Sequence, residues 1–117
     1  MNGLINKADI SGDITALTSS DTTYYQFMNP SQYQQSYYID RNGFRFFSMA
    51  IKCNSPKNDW YVLGDRLYQT QYFTLYPPFA VDTDTGATLP MLIQNGYLYV
   101  KGGTAGKIYD ISFMIPI

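Results

Sequence analysis

The charged chemistry of this 117-residue chain rests on nine aspartates, five lysines and three arginines; histidine and glutamate are absent. Without histidine the usual general base near neutral pH is missing, and no His/Cys cluster can hold a transition metal. The single cysteine, Cys53, ends the apolar run Met49-Ala50-Ile51-Lys52-Cys53. It reads as a small buried hydrophobe, because nothing activates it as a nucleophile and one cysteine makes no disulfide framework. Asp82-x-Asp84-x-Gly86 begins like a calcium loop, but Ile93 stands where a bidentate acid belongs. An Asx turn is the expectation there. No Gly-rich strand-to-helix turn offers a phosphate cradle, and no cofactor is implied.

One short motif points to catalysis. Asp84-Thr85-Gly86-Ala87 resembles the signature of retroviral-type aspartic proteases, in which two subunits of about this size share a proton between paired carboxylates. Its surroundings differ from that family: polar Asp82-Thr83 replaces apolar strand residues, and the short tail carries no recognisable flap or second closing motif. A surface turn is the expectation. A glycan hydrolase would need two Asp carboxylates at a fixed separation, and the spacing designates no pair. The chain is therefore expected not to be an enzyme.

The chemical surplus is aromatic, with twelve Tyr, seven Phe and one Trp. Tyrosine offers a large rigid face and a hydroxyl at low entropic cost, which suits sugar rings and partner subunits equally. Alternation from Leu67 to Tyr76 puts Tyr68, Thr70, Tyr72, Thr74 and Tyr76 on one face of a strand. Ordinary cross-strand packing is the competing reading of that row. Trp60, beside Asn58 and Asp59, is either a core anchor or a sugar-stacking ring.

The elements that must carry these residues are short strands. Asn42-Gly43 and Asn95-Gly96 each sit between apolar runs and predict two-residue hairpin turns. Phe47, Met49, Ile51 and Cys53 share one face of the strand over Phe44–Cys53, and Tyr109, Ile111, Phe113, Ile115 and Ile117 share one face of the last. Further strands are expected over Trp60–Leu63 and Thr88–Gln94, and two more flank a turn at Asn29-Pro30-Ser31. Seven or eight such strands predict an all-β, antiparallel β-sandwich or jelly roll over residues 24–117. Residues 1–23 contain no aromatic residue and read as an extended arm or connector, whose apolar side chains need a partner in the domain or in neighbouring subunits.

A net charge of −1 with no basic stripe argues against nucleic acid. Neither a signal-peptide run nor a bilayer-length apolar stretch is present, so the chain reads as soluble and not inserted in a membrane.

From Asn42 to Ile117 the chain resembles the C-terminal head or tip domains of tail-fibre and baseplate proteins from phages of Gram-positive bacteria. The resemblance is carried by the Asn42-Gly43 turn, Trp60-Tyr61-Val62-Leu63-Gly64, Leu75-Tyr76-Pro77-Pro78, Ile93-Gln94-Asn95-Gly96-Tyr97-Leu98 and the terminal Ile111-Ser112-Phe113-Met114-Ile115. Lys7-Ala8-Asp9-Ile10-Ser11-Gly12-Asp13 looks like the connector before such heads. The resemblance implies a homotrimeric head in a virion, joined to other virion proteins through the N-terminal arm. It implies either adhesion to host cell-wall saccharide or a purely structural trimerising role. For adhesion, Trp60, Tyr68, Tyr72, Asp82 and Asp84 are the expected contact residues.

Overall fold

The computed structural model describes residues 5–6, 14–29, 33–69, 74–75 and 79–117, with 5–6, 33–34 and 74–75 as backbone only. The described residues contain no helix. In chain order the strands are β1 (Ile5–Asn6), β2 (Ile14–Ala16), β3 (Tyr25–Phe27), β4 (Tyr33–Gln34), β5 (Tyr37–Arg41), β6 (Phe44–Cys53) and β7 (Tyr61–Leu63). There follow β8 (Thr74–Leu75), β9 (Ala80–Val81), β10 (Thr88–Leu89), β11 (Met91–Gln94), β12 (Tyr97–Val100) and β13 (Ile108–Pro116). Every described pairing is antiparallel. One sheet runs β10-β9-β13-β6-β5-β2, with β3 also on β6; a second runs β7-β12-β11-β8; β1 and β4 pair alone.

Both Asn-Gly turns form as their sequence predicts. Asn42 and Gly43 have φ of 54° and 82°, and Asn95 and Gly96 have 53° and 82°. Positive φ at both central residues matches the right-handed twist of the flanking strands, and Asn-Gly supplies it at least cost. The turns fix the registers Arg41↔Phe44 and Gln94↔Tyr97.

The long strands β6 and β13 pair from Phe44↔Pro116 to Lys52↔Ile108 and form the centre of the larger sheet. Period-two spacing turns Phe47, Met49, Ile51 and Cys53 inward, together with Tyr109, Ile111 and Ile115. Leu63, Met91, Ile93, Leu98 and Val100 of the second sheet meet them in one core. Each such aliphatic side chain contributes roughly 1.5–3 kcal/mol on full burial. Cys53 is free and buried, its thiol pKa raised by burial, as a small core hydrophobe should be.

Two expectations change. The strand over Thr88–Gln94 divides at Pro90: β10 joins the larger sheet and β11 the smaller. Proline lacks the N–H that a continuous ladder needs. The strand over Leu67–Tyr76 appears among the described residues only as β8. At Leu67 the backbone bonds elsewhere: its N–H donates to Gly96 O at 2.6 Å and its carbonyl accepts from Arg45 Nη1 at 2.7 Å. Within the expected arm, β2 pairs with β5 and Leu17 enters the core, so the domain itself partners residues 14–17.

The β6 edge is shared. β5 pairs with it as far as Ser48, and β3 takes over at Ile51. Ser36 fills the step between them: its buried Oγ accepts from Ala50 N and donates to Ala50 O, both at 3.1 Å. Asn29 ties the same junction, accepting from Ser36 N at 3.1 Å and donating to Leu17 O at 2.6 Å.

Candidate functional site

The smaller sheet ends at the edge strand β7, and its first residue, Tyr61, organises the most feature-rich surface. Segment 18–24 runs beside it. The Tyr61 ring lies edge-on to Tyr24 at 5.3 Å and tilted against Tyr25 at 5.8 Å. Its hydroxyl donates to Asp21 Oδ2 at 3.1 Å, while Asp21 Oδ1 accepts from Thr23 N at 3.0 Å. Bonds from Thr23, and then from Tyr61, hold the Asp21 carboxyl below its ordinary pKa. Tyr61 moves the other way, raised first by burial and then by Asp21.

Two ammonium groups rest on aromatic rings. Lys57 Nζ is 4.5 Å from the Tyr24 centroid, and Lys101 Nζ is 4.5 Å from that of Trp60, a cation–π geometry. The loop that carries Lys57 and Trp60 is tied down at several points, the Tyr25 hydroxyl among them. Tyr25 OH accepts from Lys57 N at 3.0 Å and donates to Gly102 O at 2.9 Å; Gly102 N returns a bond to Lys57 O at 2.8 Å. Asn54 Nδ2 donates to Thr22 O at 2.8 Å and to Gln26 Oε1 at 2.9 Å, pinning the loop to segment 22–26.

Beyond Tyr61 the surface opens into a polar groove of about 250 Å³ between Thr18–Asp21 and Tyr61–Asp65. Its walls come close because residue 64 is glycine. Gly64 has φ +72°, and a Cβ there would come within 3.0 Å of both Thr18 O and the Phe27 ring.

A second surface is the outer face of the larger sheet. Phe46 lies in register between Ile39 and Met114. Phe46 is 42% exposed and Met114 54%. With Tyr37 and Phe113 they line a shallow apolar groove of about 360 Å³.

The expected contact residues fall in separate places. Trp60 belongs to the aromatic end; it is half-buried beneath Lys101 and is not among the buried residues that form the core. Tyr68 is a core residue, 3% exposed. Tyr72 lies outside the described residues, as do Thr70 and Tyr76. Asp82 and Asp84 share one turn between β9 and β10. Asp82 is 4% exposed, and its oxygens accept from Asp84 N at 3.2 Å and Thr85 Oγ1 at 2.7 Å, the Asx-turn pattern. Bonds from Thr85 first, then from Asp84, keep its pKa low. Asp84 is exposed on that turn. Among the described residues no three His, Cys, Asp or Glu side chains group to hold a metal, and no helix is long and apolar enough to cross a membrane.

No family model, no curated protein and no solved structure matches this chain. What the protein does is therefore read from its own surfaces. Asp21, Tyr24, Lys57, Tyr61, Asp65 and Lys101 join Trp60 at this end, and sequence reasoning did not single them out. Tyr61 follows the noted Trp60 directly, but Asp21 lies 40 positions from it in the chain, and nothing local announces that pairing.

Proposed function

We propose that the protein is a phage virion component, of the tail, baseplate or fibre, that mediates adhesion to the host surface by binding cell-wall saccharide. The observation that carries this reading is the Tyr24–Tyr61 ring pair, with half-buried Trp60 next in the chain, beside a hydroxyl- and carboxylate-lined groove. Aromatic faces pack on the C–H faces of sugar rings, and convergent polar groups fix their hydroxyls. The loops are already tied together, which lowers the ordering cost of binding. Weak single-site affinity is multiplied when several copies engage one polymer. The virion context comes from the sequence resemblance, which also supports reading the two sheets as the layers of a β-sandwich, jelly-roll-like head. In that reading the head is homotrimeric, and its N-terminal arm leads to other virion proteins.

A second reading is a structural trimerisation or attachment domain without ligand. The outer face with Phe46 and Met114 favours it, because contiguous exposed apolar surface marks contact sites. Both readings are tested together by light scattering and by binding to isolated cell-wall polysaccharide. Polysaccharide binding that Trp60→Ala abolishes without changing Tm supports adhesion. A stable trimer that binds no glycan leaves only the structural role. A monomer at micromolar concentration removes the trimer.

A further inference from the structure

The groove beside Tyr61 carries a charge pattern unlike that of the rings next to it. Asp21 and Asp65 both line it, and among the described residues no lysine or arginine does. Its other polar side chains are neutral hydroxyls, including Thr18 and Ser20. The nearby cations, Lys57 and Lys101, stand instead over Tyr24 and Trp60. The Asp21 carboxylate is fixed in place as an acceptor by Thr23 and Tyr61. A carboxylate so held forms stronger hydrogen bonds with a charged donor than with a neutral one.

We infer that this groove selects its saccharide by charge, taking a sugar with a free, protonated amine in preference to the N-acetylated or carboxylated form. The inference rests on the saccharide reading above and adds a ligand class to it. An N-acetyl group offers only a neutral amide donor and adds bulk in a narrow groove. A uronic acid brings a third carboxylate toward two existing ones. An ammonium group brings the opposite charge to a groove lined by two carboxylates, and Thr18, Ser20 and Tyr61 offer hydroxyls to the rest of the sugar.

The test is NMR titration of the full chain with glucosamine, N-acetylglucosamine and glucuronic acid, together with the corresponding galacto sugars, following the amides of residues 18–21 and 61–65. The amino sugars are expected to bind at least about fivefold tighter than their N-acetyl forms, the difference between charged and neutral hydrogen bonds. That gap narrows as salt is raised. Asp65→Asn, at an exposed position, is expected to bring amino and N-acetyl forms within about twofold of each other. An N-acetyl sugar that binds the groove as tightly as the amine overturns charge selection but leaves the saccharide reading standing. Perturbations confined to other residues, or none with any sugar, overturn both. Calcium that shifts the same amides and displaces the amino sugar shows a cation site and overturns the inference.

Discussion

Replacing Ser36 with alanine isolates one joint of the fold. Ser36 and Ala50 are both buried, and the serine hydroxyl serves the Ala50 N–H and C=O together. Without it, Ala50 O keeps its bond from Met28 N at 2.8 Å. Ala50 N loses its partner in a place water does not reach. One orphaned buried donor costs about 1–3 kcal/mol. For a domain of this length each kcal/mol lowers Tm by roughly 4 °C, so a fall of about 4–12 °C is expected. Scanning calorimetry measures it, with Ser112→Ala, at an exposed position on the same sheet, as the control expected to stay within about ±0.5 kcal/mol. Amide exchange at Ala50 is expected to quicken more than at Met49. A melting temperature equal to that of the parent, with Ala50 still protected, would show that the hydroxyl is not what completes the β6 edge.

The two Asn-Gly turns have equal φ but different surroundings. A Cβ on Gly43 meets nothing within 4 Å, whereas one on Gly96 collides with the Tyr68 carbonyl and the Arg66 side chain. Gly43→Ala is expected to cost about 1–2 kcal/mol, the left-handed penalty alone, and Gly96→Ala distinctly more; equal losses in urea melts would refute the collision. Asp110 has its pKa raised above 3.8, by burial and then by the Asp82 carboxylate. Folding therefore disfavours its charged form relative to the unfolded chain, modestly because the side chain stays exposed, and its contribution is present below pH 3.8 and lost as pH rises through the raised value. Asp110→Asn is expected to melt above the parent at pH 7, with the difference vanishing in acid; an equal or lower Tm at pH 7 contradicts this. Asp40, whose pKa is lowered by its bond from Arg45, runs the other way and loses its contribution as pH falls through its depressed value. Asp40→Asn is therefore expected to lower Tm at neutral pH and to matter little in acid. In the proposed trimer, Met114→Gln on the exposed sheet face is expected to reduce the mass seen by light scattering while changing stability by no more than about 0.5 kcal/mol; an unchanged trimer mass removes this face from the contact.

What the sequence disclosed was local. The two Asn-Gly turns, the inward row from Phe47 to Cys53 and the alternation of β13 follow from neighbours one or two residues apart. The Asx turn at Asp82 is local too. The joint at Ser36 could not be read, because it joins Asn29 and Ala50 through bonds between side chains and backbone, and Leu17 through its carbonyl, and no periodicity encodes these. Leu67 and Tyr68 misled for a related reason. Their alternation is genuine, but the Leu67 backbone bonds to the Gly96 turn and to Arg45 in place of a neighbouring strand. At the candidate site Trp60 was noticed for its rarity. Its partner Lys101, and the Tyr61–Asp21 bond beside it in the chain, come together only after β7 joins β12 and segment 18–24 lies alongside.

The Tyr25 hydroxyl links stretches of chain 32 and 77 positions away. The plate bearing Lys57 and Trp60 is therefore assembled before any visitor arrives. A molecule landing there has no loop to fold, so its capture rate is set by collision and orientation, and how long it stays depends on the contacts alone. In the proposed adhesin, such a surface suits brief, repeated touching along a repetitive polymer better than a single slow embrace.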